Sequence, residues 1–374
     1  MKGPTGCQPS DSEPLGYTPS RDPFAPGLLN TFSEPPRKLV LLRASRIGDF
    51  INAIPAIQAL RDTLPQAEIT MITLPMLREL ATRCPLINRV ISFPGYPGLA
   101  DQFFDAAHTL QFFQALQAEQ FDLAIQMQGT GVYSNPFMLL IGSQATAGFI
   151  RPGDPPGRLA AALPWPEQGH EIERVLALTD FLGAVRPTSL RPRLILTNQD
   201  QHEAEKHLLA VKPPWIGIHI SARDRTRRWP AQRFALAAAG LQQRYGGTVL
   251  LLGESRDREE GLGVLQAAGV HYLDLTGCTS LPVTGAILQR LAVFITNDTG
   301  PAHLGYAVDA PVVVVFGGGD PARNGPPVEG PFRVAIHPVA CRPCESSDCP
   351  IGHHCLNQVS VEQVISLAEQ VFRA

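Results

Sequence analysis

From residue 38 onward, short runs of apolar and β-branched residues alternate with longer stretches whose apolar positions recur at helical spacing. In the first half, residues 38–42, 68–74, 89–93, 121–127 and 146–150 read as strands. A loop rich in Pro and Gly follows over 151–166, and the spacing then predicts a helix over 167–182. The segment 183–193 holds Pro187 and Pro192 and reads as an interdomain linker. The pattern restarts with strands over 215–220, 248–252, 272–275, 293–296 and 312–316. Helices fit at about 200–210, 230–244, 256–268, 282–290 and 300–308, with a last one over 361–372. Strands alternating with helices imply a parallel sheet covered on both faces, here twice over. The expected organisation is a tail over 1–36, domains over 37–185 and 186–358, and a C-terminal helix within 359–374.

Ligands of doubly wound sheets sit beyond the carboxyl ends of the strands, so the loops there are where chemistry is expected. After the last strand pair, Asn297-Asp298-Thr299-Gly300-Pro301-Ala302-His303 opens a helix, and 317–321 forms a glycine loop. Asp298 and Thr299 can cap that helix, Gly300 permits close approach, and Pro301 suits the first turn. Unpaired N–H groups at a helix start attract anions, which points to a phosphate pocket. His303 falls one turn further on, as a packed residue or a ligand contact.

Three other loops join it. Arg43-Ala44-Ser45-Arg46-Ile47-Gly48-Asp49 follows the first strand. Asp49 reads there either as the cap of a helix over 50–60 or as a cleft-facing base among basic neighbours, and the two are compatible. Residues 221–230 carry four arginines, Arg223, Arg225, Arg227 and Arg228, with Ser221 and Thr226. That is an anion-binding composition at a strand end. Residues 253–260 bring Glu254 and Asp257, carboxylates that could accept from ribose hydroxyls or simply complement a helix start.

Composition narrows the class. With 374 residues, 44% hydrophobic and 17% charged, the chain is that of a globular protein large enough for two cores. A net charge of −3 gives no bulk reason to expect nucleic acid as a partner. No apolar run has the roughly 18–20 residues needed to cross a bilayer. The first 36 residues are rich in Pro, Ser and Gly without an apolar segment, which reads as a disordered tail and not a secretory signal. A cytoplasmic location follows, where the seven cysteines should be reduced or bind metal. Phe103, Phe104, Phe112 and Phe113 lie at helical spacing and read as core.

Together these loops resemble a family: the glycosyltransferases related to the ADP-heptose:lipopolysaccharide heptosyltransferases (glycosyltransferase family 9). The resemblance runs from about Lys38 to the C-terminus. It rests on Arg-Ala-Ser-Arg-Ile-Gly-Asp at 43–49, Trp-Pro at 229–230 and Leu-Thr-Gly-Cys-Thr-Ser-Leu at 275–281. Asn-Asp-Thr-Gly-Pro-Ala-His at 297–303 and Gly-Asp-Pro-Ala-Arg-Asn-Gly-Pro at 319–326 complete the set. It implies a GT-B fold, an α/β architecture of two Rossmann-like domains facing a cleft. The implied reaction is inverting, metal-independent transfer of a sugar, ADP-heptose being the favoured donor, to a lipopolysaccharide-core or similar cell-envelope acceptor.

By the same resemblance Asp49 is the general base. Arg227 and Ser221 bind the donor, and Asp298, Thr299 and Gly300 hold its sugar and diphosphate. The residues themselves add Asp257 and His303 as candidates on the donor side, and Arg43 and Arg46 as candidate contacts to acceptor or phosphate. No cofactor is implied, and a lipid-linked acceptor implies transient contact with the inner face of the cytoplasmic membrane. Two departures stand out. Arg227 occupies a position that is usually lysine, keeping the charge but presenting a planar fork. The later loop usually reads Gly-Pro-Thr-Asp-Pro but is Gly-Gly-Gly-Asp-Pro here, without the threonine hydroxyl. That loss leaves open a non-catalytic, sugar-nucleotide-binding scaffold, and a transferase of the same fold with another donor or a non-lipid acceptor is also open.

Near the C-terminus, Cys341, Cys344, Cys349 and Cys355 could form a four-ligand structural zinc site or remain reduced thiols. In the resembling fold the helix that follows packs back toward the first domain, so a braced cysteine segment would help set the cleft.

Overall fold

The computed structural model describes residues 21–100, 102–327, 330–344 and 346–373. The first half forms a six-stranded parallel sheet from β1 (Lys38–Leu42), β2 (Glu68–Thr73), β3 (Arg89–Ser92), β4 (Leu123–Gln126), β5 (Ala145–Ile150) and β6 (Ala161–Pro164), in the order β3-β2-β1-β4-β5-β6. The second half repeats this design with β7 (Trp215–His219), β8 (Thr248–Leu251), β9 (Tyr272–Asp274), β10 (Val293–Asn297), β11 (Val312–Phe316) and β12 (Phe332–Ile336), in the order β12-β11-β10-β7-β8-β9. Read from β9, this is the same order, with the reversal between β7 and β10 as it is between β1 and β4.

Such reversal points leave a crevice at the strand ends because successive connections depart to opposite faces. The central strands are apolar on both sides, as helices above and below require: Val312, Val313, Val314, Val315 and Phe316 are all fully buried. Helices Ile47–Thr63 and Glu171–Leu182 pack together on one sheet, and Ala231–Tyr245 and Val361–Glu369 on the other. The halves also join away from the cleft. Arg83 donates from Nε and Nη2 to both oxygens of Asp200 at 3.0 and 3.1 Å.

Several expectations are corrected. The 151–166 loop contains β6, an edge strand whose Ala147–Ala161 pairing extends the first sheet. β12 is a second edge strand without a predicted counterpart. The helix expected from residue 167 starts at Glu171. Of the tail, residues 1–20 lie outside the described residues, but 21–36 are not a free tail: Leu28 and Leu29 are buried in the first core, and Gly27 N–H donates to Phe181 O at 2.8 Å. The C-terminal helix Val361–Glu369 packs on helix Ala231–Tyr245 and on β10 to β12 of the second half, not back on the first. The phenylalanines divide, Phe113 being core while Phe103 is 87% exposed. Among the described residues no helix is long and apolar enough to cross a membrane.

Candidate active site

A cavity of about 1310 Å³ lies between the two sheets at their facing carboxyl ends. Its walls come from the loops after β1, β7, β8, β10 and β11, together with the start of helix Glu171–Leu182. Arg46, Asp49, Ser221, Arg227, Asp257, Asp298, Thr299, Gly300 and His303 all line it, although up to 257 positions separate them in sequence. Arg43 does not.

Two helix starts meet in this cleft. Helix Ile47–Thr63 begins at the end of β1 and helix Gly300–Ala307 at the end of β10. Their contact requires glycine twice. A Cβ on Gly48 would lie 2.6 Å from Cδ2 of His303, and one on Gly300 would lie 2.9 Å from Cβ of Ile47. The backbones can approach closely only because neither glycine carries a side chain. Both helix starts therefore direct unpaired N–H groups and a positive dipole end into one space.

Asp49 occupies the third position of its helix, so the reading of Asp49 as the residue preceding the helix is corrected. Its Oδ2 accepts from the backbone N–H of Arg46 at 3.2 Å, while the side chain remains 39% exposed toward the cleft. Arg43 behaves differently from the acceptor or phosphate ligand expected of it. It is 2% exposed, and its guanidinium is turned inward. It donates to the carbonyls of Asp49 and Met127, to Oδ1 of Asp49 at 3.4 Å and to Oε1 of Glu171 at 3.0 Å. A guanidinium buried this deeply must be satisfied by buried oxygens, and these supply them.

On the opposite wall, Asp298 is 2% exposed and pairs with Arg227, Nη1 to Oδ2, at 3.2 Å. Burial raises the Asp298 carboxyl to about 6, against the opposing pull of Arg227 and Arg342. Burial lowers His303 to about 4 even though Asp49 favours its charged form, so the imidazole is neutral at neutral pH. His219 is likewise held at about 4 by burial, and its Nδ1 lies 3.1 Å from Thr296 Oγ1. Thr299 stands at the cap position of helix Gly300–Ala307, yet its hydroxyl donates to Asn297 O at 3.3 Å and does not cap the helix. Pro301 carries no N–H and Ala302 N–H donates to Thr299 O at 3.0 Å, so in the first turn it is the Gly300 N–H that a ligand can meet. Asp257 serves in part as the structural alternative foresaw, its Oδ2 accepting from Glu254 N–H at 2.9 Å, while also facing the cleft.

Asn297 stitches the wall together. Its Oδ1 accepts from Trp229 N–H at 2.9 Å, and its Nδ2 donates to the Ile220 and Ser221 carbonyls. The Trp-Pro and Asn-Asp-Thr-Gly motifs are therefore one hydrogen-bonded unit. The glycine loop is roofed by the cysteine segment: Cys344 N–H donates to Gly318 O at 2.8 Å, and Arg342 donates to the Phe316 and Gly319 carbonyls at 2.9 Å. Cys344 lines the cleft, but among the described residues no group of three or more His, Cys, Asp or Glu side chains is arranged to hold a metal ion.

Sequence reasoning missed Glu171, Arg174 and Arg323, which line the same cleft. A buried Glu at a helix start was a faint signal, since acidic residues are common there.

The sequence profile of glycosyltransferase family 9 (heptosyltransferase) matches residues 109–354. The chain belongs to glycosyltransferase family 9. It is similar to lipopolysaccharide heptosyltransferase 2 of Salmonella typhimurium, with 26% identity over 334 residues covering 85% of this chain and 93% of that one. Lipopolysaccharide heptosyltransferase 1 of Escherichia coli is 23% identical, over 77% of this chain and 90% of its own length. Among solved structures, a family 9 glycosyltransferase from Veillonella parvula superposes with a TM-score of 0.78 at 21% identity, covering 90% of this chain and 97% of that one. E. coli ADP-heptose lps heptosyltransferase II gives 0.73 at 21% identity, over 89% and 98%. These likenesses show the GT-B fold. As a family 9 heptosyltransferase the protein is an enzyme that transfers a sugar, and the cleft between its two sheets is the candidate site.

Proposed function

We propose that the protein transfers heptose from ADP-heptose to a lipopolysaccharide-core acceptor, with inversion at the anomeric carbon. Relatives described as lipopolysaccharide heptosyltransferases, and a solved relative described as E. coli heptosyltransferase WaaC with ADP, support the donor and acceptor classes. The observation that carries the reading is the juxtaposition of Asp49 with a second helix start across one cleft. The acceptor hydroxyl gives its proton to Asp49 as its oxygen attacks the anomeric carbon, and the nucleoside diphosphate departs on the opposite side. Charge develops on that leaving group. The Gly300 N–H and the positive end of helix Gly300–Ala307, the Ser221 hydroxyl and the Arg227 guanidinium meet it. Asp298 holds Arg227 in place, and Asp257 accepts from a ribose hydroxyl.

Arg46, on the first half, faces the acceptor. The enzyme works in the cytoplasm, with peripheral contact at the inner membrane face where a lipid-linked acceptor is presented. Positive charge from Arg227 and the helix start replaces a divalent ion at the diphosphate. The boundaries that go with this reading are an acceptor-side domain over 37–185 and a donor-side domain over 186–358.

The test is release of ADP from ADP-heptose in the presence of a lipopolysaccharide-core acceptor. Asp49→Asn should bind donor normally and lose about 10²–10⁴ in turnover. Turnover at the wild-type rate would reduce Asp49 to a structural residue, and loss of wild-type activity in chelator, restored by magnesium, would overturn the metal-independent step.

A further inference from the structure

Behind Asp49 lies a buried charge cluster that the transfer reaction as described does not use. Glu171, at the start of helix Glu171–Leu182, is 5% exposed and accepts from Arg43 Nη2 at 3.0 Å and Arg174 Nη1 at 3.4 Å. Arg174 is itself 4% exposed and donates to the Glu167 carbonyl. Arg43 divides one nitrogen, Nη2, between Glu171 and Asp49. From the donor-side half, Arg323 on the short helix Pro321–Asn324 brings its Nε to 3.8 Å from Oε2 of Glu171. The neighbouring His170 has its Nε2 3.1 Å from Gly325 O on that same segment. The start of helix Glu171–Leu182 thus touches both the residue that orients Asp49 and the loop that closes the donor side.

We propose that Glu171 is a positioning residue for sugar transfer. It fixes the Arg43 guanidinium so that Asp49 is aimed into the cleft, and through Arg323 it ties that aim to the seating of the donor loop. This rests on Asp49 being the base. The argument is electrostatic and geometric. A fully buried guanidinium must spend its donors on oxygens. Glu171 takes the stronger share of Nη2, leaving a longer bond of 3.4 Å to Asp49 and a carboxylate that can still accept a proton. Without Glu171, Arg43 has Asp49 as its nearest carboxylate and draws it inward.

Other charged groups also face Asp49. Arg46 flanks it in its own loop, and His303 faces it from helix Gly300–Ala307. His170 and Arg227 act on His303 in turn. Helix Glu171–Leu182 contributes Glu171 and Arg174 behind Arg43, and helix Pro321–Asn324 contributes Arg323.

The experiment compares wild type, Glu171→Gln, Glu171→Asp and Asp49→Asn in the full chain, measuring kcat, donor KM and the pH profile of kcat. For Glu171→Gln the expected result is a loss in kcat of about ten- to a hundredfold, the scale of a misplaced catalytic group. Donor KM should change little, and the acid limb of kcat should move to lower pH because Arg43 then holds Asp49 more tightly. Glu171→Asp keeps the charge and should return the acid limb to its wild-type position.

If Glu171→Gln does not fold, Glu171→Gln combined with Arg174→Met removes one charge of each sign and should show the same kcat loss and displaced limb. A folded variant of either kind with wild-type kcat and pH profile, beside an inactive Asp49→Asn, overturns the role of Glu171 alone. An active Asp49→Asn overturns the base assignment and the role of Glu171 with it.

Discussion

A Cβ placed on Gly319 would lie 2.4 Å from Oδ2 of Asp298. The departure from the family's Gly-Pro-Thr-Asp-Pro loop therefore has a local cause in this chain. Arg342 holds the Gly319 carbonyl, and the loop is drawn so close to the buried Asp298 that a side chain has no room. At the preceding position a Cβ on Gly318 would lie 2.6 Å from Sγ of Cys344. The glycine loop and the cysteine segment above it fit each other.

Gly319→Thr should therefore not restore a donor contact. Forcing a side chain against Asp298 is expected to cost about 1–3 kcal/mol, the range of overpacking in a tight interior. Thermal unfolding should show a lower melting temperature, and calorimetry a weaker affinity for ADP. A variant as stable as wild type with tighter ADP binding would refute this account of the loop.

Thr299→Val should weaken ADP binding with little loss of stability. The hydroxyl makes only a long bond of 3.3 Å to Asn297 O and does not cap the helix, so the fold does not depend on it. A hydrogen bond to a charged diphosphate is worth roughly 1.5–3 kcal/mol, which corresponds to about ten- to a hundredfold in affinity. Unchanged affinity by calorimetry would remove this helix start from the donor site.

Asp298→Asn separates stability from binding through its pH dependence. The native carboxyl is raised from 3.8 to about 6 by burial, so the folded protein holds this proton after the unfolded chain has released it. Stability is accordingly lost as pH rises through the window from about 4 to 6, and the asparagine variant escapes that loss. Denaturant titrations should find the variant more stable than wild type at pH 8, and the advantage should vanish near pH 4. Because the variant leaves Arg227 with only the more distant carboxylate of Asp224, at 3.9 Å, ADP affinity should fall over the same range. A pH-independent stability difference would show that Asp298 stays charged in the fold.

Asp200→Asn shows the opposite sign. Its hydrogen bond with Arg83 lowers the Asp200 carboxyl from 3.8 to about 2, and burial opposes this only in part. The contribution is present above pH 4 and is lost as pH falls toward 2. Removing it at neutral pH should cost about 2–3 kcal/mol, the size of a partly buried charged hydrogen bond. Because the pair joins the two halves, susceptibility to proteolysis in the segment 183–193 between the two sheets should rise as well. Equal stability of variant and wild type at pH 7, with unchanged cleavage, would show that the clamp contributes nothing.

Much of the architecture was legible locally. Among the described residues, ten of the twelve strands announce themselves as apolar runs, the central ones because a strand covered by helices on both faces must be apolar on both sides. The two that do not, β6 and β12, are edge strands, as are β3 and β9, which the pattern did show. Each is paired along one side only, and β6 is rich in alanine and ends in Pro164. The strand-end motifs were legible too, since Pro301 and the arginines of 221–230 have short-range reasons to sit where they do, whereas Gly48 and Gly300 are required by the contact between the two distant helix starts. What tertiary structure alone decided is which side chains those motifs turn outward. Arg43 and Arg46 are three residues apart and alike in sequence. One is buried against Glu171, 128 positions away, while the other lines the cleft. No local pattern encodes a partner at that distance, because burial of a charge is determined by what the rest of the chain packs against it. The sequence by itself determined two doubly wound halves and the loops where chemistry gathers. Packing between distant segments decided which charges face the substrate and which hold the others in place.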